Sequence, residues 1–202
     1  MNPMPATSHT RPILEPRPPG PPGPFVVAVG ILVALWCAGF AAINVWFEVT
    51  DYFGAGRYAD VATALSVANW FVVVLKVGGV AVALLAVRRT PRFLSPRVLG
   101  TLLWAAFATL ALYVVGSIAQ AVMLPTGGSG GAEQVNAAEV GYVLAFLLAA
   151  AGFGTLAISY ARRAGLGRRV MLIGICGGPV VLGSVLVILP AILGALGLLS
   201  AT

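Results

Sequence analysis

The sequence predicts an all-α, polytopic transmembrane helix bundle with five spans, four being the alternative, and three observations carry that prediction. Hydrophobic residues make up 59% of the chain and charged residues only 9%. The apolar runs exceed the ~18 residues that mark a membrane-crossing helix. The basic residues cluster: Arg11 and Arg17, then Arg88, Arg89, Arg92 and Arg97, then Arg162, Arg163, Arg168 and Arg169 account for ten of the twelve. In a soluble protein a net charge of +6 would suggest nucleic acid. Here the excess falls between apolar runs, where the positive-inside rule puts it, so the expected partner is the lipid bilayer and not nucleic acid.

Residues 1–24 hold nine prolines and form a disordered, Pro-rich tail with polyproline II character. The first span is expected over about Phe25–Trp46. A loop with Glu48, Asp51 and Asp60, one arginine and several aromatics suits the headgroup level before the second span, Val61–Val87. A basic loop broken by Pro91 and Pro96 leads to the third span, Val98–Leu124, and a Gly-rich connection to the fourth, Glu139–Tyr160. The transmembrane domain then closes on the run Val170–Leu199. As a straight helix that run measures ~45 Å against a hydrocarbon core of ~30 Å, so a tilt, kink or break is expected. Gly177, Gly178 and Pro179 supply the candidate break, and a kinked span is preferred over a re-entrant hairpin.

The three basic stretches share one face of this arrangement, which makes that face cytoplasmic and puts the N-terminus inside. The Ala-, Gly-, Val- and Leu-rich composition with eleven arginines to one lysine fits a bacterial cell inner membrane protein. Cys37 and Cys176 lie in different runs at depths of ~18 and ~9 Å from the basic side, so a disulfide between them is not expected.

Lys76 is the residue that does not fit. It lies fourteen residues beyond Ala62 and twelve before Arg88, near the bilayer centre. A charge at that depth costs ~2.5–3.5 kcal/mol even on lenient scales, which makes it a functional hypothesis by default. Thr63, Ser66 and Asn69 recur with it at helical spacing and give the second span an inward polar stripe. Lys76, Asn69 and Ser66, with Thr109 at similar depth on the third span, form the candidate intramembrane polar site. No carboxylate of the chain is expected at that level. Lys76 is therefore deprotonated, solvated by a water-filled cavity, or paired with an acid from a membrane-protein partner.

Other polar residues have structural readings. Asn44 and Gln120 sit near the outer boundary, and Glu139 caps the start of the fourth span. Gly30, Ala34 and Ala38, Ala150 and Gly154, and Gly174 and Gly178 permit close helix packing. The one histidine, His9, lies in the tail, and the acids match no calcium loop, so neither a cofactor nor a metal is expected. The spans offer no nucleophile with a base at matching depth, which argues against an enzyme. The expected function is a non-catalytic accessory or interaction subunit of a membrane complex; the alternative is a small transporter or channel subunit using Lys76 for anion or proton handling.

Overall fold

The computed structural model describes residues 21–54, 56–88, 94–123 and 137–195. The Pro-rich tail over 1–20, Arg89 and Arg92, most of the Gly-rich connection with Glu133, and the last seven residues lie outside the described residues. Five long helices carry the fold: α1 (Pro24–Val49), α2 (Ala62–Val87), α3 (Pro96–Met123), α4 (Ala137–Arg163) and α5 (Arg168–Ala195). A 3-10 turn, Gly56–Val61, leads into α2.

Local chemistry sets the helix ends. Pro24 opens α1 at a position where its missing N–H costs nothing. Ser95 precedes Pro96 in the same way, and its hydroxyl accepts the Val98 N–H at 3.4 Å. Gly165, at φ +61°, ends α4. The Leu166 N–H then reaches back to the Ala161 carbonyl at 2.9 Å, closing a Schellman turn that sends the chain straight into α5.

Three expectations change at this level. Helix α1 runs three residues past Trp46, so Glu48 stands on a helix and not in a loop; the Thr50 hydroxyl donates to the Trp46 carbonyl at 2.8 Å and closes that last turn. Arg162 and Arg163 belong to the last turn of α4, where cations meet the negative end of the helix dipole. The expected break at Gly177, Gly178 and Pro179 is not there: α5 is one helix through that point and through Pro190. A proline removes one backbone donor, and packing from a neighbouring helix holds the turns around it. For Gly178 that neighbour is α3, since a Cβ there would lie 2.8 Å from the Ala105 Cα.

Side-chain neighbours fix the packing directions. Gly30 meets Val87, Cys37 meets Gly79 and Glu48 meets Ser66, so α1 and α2 are antiparallel. Val33 against Gly152 and Trp36 against Phe146 make α1 and α4 antiparallel, and Phe107 on Gly154 with Tyr113 on Phe146 does the same for α3 and α4. Helix α5 packs on α3 and runs parallel to it, with Gly100 against Val170, Gly174 against Trp104 and Gly178 against Ala105. The direction thus alternates along the chain. One end of the bundle gathers Arg88, Arg97, Arg162, Arg163, Arg168 and Arg169, while Glu48, Asp51 and Glu139 stand at the other.

The closely packed core occupies the basic half, where Val33, Cys37, Ala83, Leu99, Leu103, Phe153, Leu156 and Tyr160 are buried together. Outward faces are apolar, with Leu148 73% and Leu32 and Val74 66% exposed. Helices α1 to α4 are each long and apolar enough to cross a membrane. An apolar exterior on helices of this length is matched to lipid as its solvent, and the chain has the make-up of a multi-pass membrane protein.

Candidate functional site

The acidic half of the bundle is built differently from the basic half. On α1, Trp36 and Phe40 stand one turn apart on the same face, and Tyr142 and Phe146 do so on α4. Antiparallel packing brings these pairs together. Trp36 meets Phe146 edge-on at 5.0 Å and 87°, Phe40 meets Phe146 at 5.4 Å and 79°, and Tyr113 of α3 adds a ring 4.5 Å from Phe146. Between centroids at these separations the ring edges and faces complement one another.

Helix α2 aims Lys76 into this cluster. Asn69, Val73 and Lys76 follow helical spacing, and the first two are buried. Gly79, one turn beyond Lys76, lets α2 approach α1 closely, because a Cβ there would lie 3.0 Å from Cys37 Sγ. Lys76 Nζ sits 3.8 Å from the Trp36 ring centre, 4.7 Å from that of Phe146 and 5.1 Å from that of Phe40. Three negative ring faces therefore surround the ammonium. Such contacts contribute ~0.5–1 kcal/mol each when exposed and ~2 kcal/mol when desolvated, which is comparable with the insertion cost of the charge. The Trp36 indole N–H is buried without a hydrogen-bond partner among the described residues, so the ring is placed for its face.

A second polar group lies further toward the acidic end. Glu48 accepts the Ser66 hydroxyl through one oxygen and the Asn69 amide, at 2.7 Å, through the other. Asn69 also donates to the Asn44 carbonyl at 2.8 Å, and the Asn44 amide turns to the Phe40 carbonyl at 2.6 Å. Seven residues of α2, ~10 Å of helix rise, separate Asn69 from Lys76. A cleft of about 290 Å³ lined by Phe47, Glu48, Asp51, Thr63 and Ser66 opens beside this group.

The structure thus brings Ser66 and Asn69 together through Glu48 and gives Lys76 a separate, aromatic surrounding. Thr63 is exposed at the cleft, and Thr109, half-buried on α3, hydrogen-bonds to neither Lys76 nor Asn69. Gly177, Gly178 and Pro179 lie on α5, away from this site. Glu48 and Asn44, read from sequence as residues of the outer boundary, are partners of the polar stripe. The rings were missed because a count of charges does not register quadrupoles; the signal was the two i, i+4 aromatic couples, Trp36 with Phe40 and Tyr142 with Phe146. Ala38, read as a packing position, is exposed, whereas Gly30, Ala34, Ala150 and Gly154 pack as expected. Both cysteines are free thiols, Cys37 buried and Cys176 exposed.

Fold and site together define the class: a helical, multi-pass membrane protein with an aromatic box around a mid-helix lysine. No protein-family model, curated protein or solved structure matches the chain.

Proposed function

We propose that the chain is a non-catalytic accessory or interaction subunit of a membrane complex, with five spans, a cytoplasmic N-terminus and a bacterial inner membrane as its location. The observation that carries this reading is the closure of the polar side chains on one another in the acidic half, above a basic half filled with Val33, Leu99, Leu103, Phe153, Leu156 and Tyr160. Passage of an ion or proton through a bundle needs a continuous polar or hydrated route. Apolar packing of this kind suits a scaffold. The arginine-rich end supports the orientation by the positive-inside rule.

Lys76 no longer requires an acid from a partner, because rings of its own chain face it. The interaction reading therefore rests on the closed interior and not on a missing counter-ion. The second reading, a transporter or channel subunit, draws on one observation: the acid-lined cleft beside Glu48 stands on the same helix face as a charge near mid-bundle. The electronegative rings disfavour an anion at Lys76, so that reading narrows to protons.

Reconstitution of the chain alone in liposomes separates the two. The subunit reading expects proton and chloride flux no greater than in empty vesicles, together with crosslinking in native membranes to another membrane protein in fixed ratio. Proton flux from the chain alone that disappears in Lys76→Leu overturns it.

A further inference from the structure

At the basic end, α1 and α4 leave a second cleft, of about 460 Å³, lined by Val26, Thr155, Ile158, Ser159, Arg162 and Arg163. Its position follows from the antiparallel register: Val33 packs on Gly152, so Val26, two turns earlier, faces the last two turns of α4. Thr155, Ile158, Ser159 and Arg162 are spaced at 0, 3, 4 and 7 and hence line one stripe of that helix.

The groups in this stripe differ in what they already do. Thr155 donates to the Ala151 carbonyl at 2.9 Å, and Arg163 reaches across to the Ala86 carbonyl at 2.9 Å and lies against the Tyr160 ring. Arg162 is exposed and no carboxylate among the described residues pairs with it; the Ser159 hydroxyl has no hydrogen bond among them either. Among the described residues no acid lines the cleft. Val26 and Ile158 make the adjoining wall apolar, and Ile158 is 44% exposed on the outward surface.

We propose that this cleft binds an anionic phospholipid, Arg162 and Ser159 taking the headgroup phosphate and Val26 and Ile158 the first acyl carbons. The chemistry selects both halves of the ligand. The exposed Arg162 guanidinium, in a cleft that no carboxylate among the described residues lines, favours net negative charge over a zwitterion, whose cationic group would meet like charge. The cleft lies at the last turn of a membrane-length helix and opens sideways onto an apolar surface, so a tethered phosphate at headgroup depth fits it better than a free one. This assignment is independent of the subunit reading.

Native mass spectrometry of the full chain, delipidated and offered phosphatidylglycerol or phosphatidylcholine, tests the site. The wild type should retain one phosphatidylglycerol several-fold over phosphatidylcholine. Arg162→Gln should cut that preference about fivefold, the worth of one arginine near an anionic headgroup. Val26→Trp, which fills the apolar wall and leaves both arginines in place, should also displace the lipid. Arg169→Gln, at the same end but off the cleft, should leave it bound. Equal retention of the two lipids, loss in Arg169→Gln as large as in Arg162→Gln, or displacement of the lipid by millimolar inorganic phosphate would overturn the proposal. A melting curve in detergent for each variant confirms that it is folded.

Discussion

Lys76 and Glu48 show how the same chain answers two half-buried charges in two ways. Glu48 has donors within reach on α2 and is held by hydrogen bonds from Ser66 and Asn69. Lys76, seven residues further along α2 than Asn69, is held by ring faces. The depth of Lys76 and the face it shares with Asn69 were legible in the sequence, because both follow from counting along one helix. The partners were not, since Trp36, Phe40 and Phe146 belong to two other helices and their placement depends on register. A double-mutant cycle between Trp36→Leu and Lys76→Met, measured by unfolding in detergent, checks the assignment. Lys76→Met alone should be neutral or stabilising, as replacement of a buried cation by an apolar isostere often is. Trp36→Leu should cost more with Lys76 present than with Met, by ~0.5–2 kcal/mol. Strict additivity would mean that the ring does not act as the counter-charge.

The helices were the most legible level. Uninterrupted hydropathy marked all five, and ends moved by two or three residues where caps and last turns absorbed neighbouring polar residues such as Glu48, Arg162 and Arg163. The exception is the continuity of α5. Glycine pairs and proline weaken a helix locally, and the sequence shows that weakness without showing what supports it. Helix α3 does: Gly174 and Gly178 sit on Thr101, Trp104 and Ala105 so closely that a Cβ at either would meet backbone atoms. Gly177, one residue away, faces open space. Gly178→Val should therefore detach α5 from α3 and lower the melting temperature in detergent, while Gly177→Val should leave it unchanged. Equal effects of the two substitutions would refute the close approach.

Across the whole molecule, charge and polarity divide along the bundle axis. The basic end is capped by arginines over a close-packed apolar core, and the acidic end carries the aromatic box and the Glu48 group. The alternation of helix direction follows from neighbour contacts alone, and it gathers Arg88, Arg97, Arg162 and Arg168 at one end without reference to a membrane. If that end is cytoplasmic, single cysteines introduced at Ser95 and at Thr50 in a chain with Cys37→Ala and Cys176→Ala should be labelled from opposite sides of intact cells. The Thr50 position should react with an impermeant maleimide added outside and the Ser95 position only after permeabilisation. The reverse pattern would invert the topology.

What the sequence by itself determined is everything that hydropathy and charge carry along the chain: an all-helical membrane protein, the positions of its helices, the segregation of arginine, and a lysine at mid-depth with a polar face. These are properties of single helices against a uniform solvent, and a window of residues is enough to read them. Only the tertiary structure decided that Lys76 meets Trp36, Phe40 and Phe146, that Glu48 turns inward to Asn69, that α5 lies parallel to α3 without a break, and that Arg162 borders a cleft with Val26. Each of these depends on the register and close approach of helices distant in sequence. Side-chain packing sets that register, and the lipid around the bundle does not distinguish one apolar face from another.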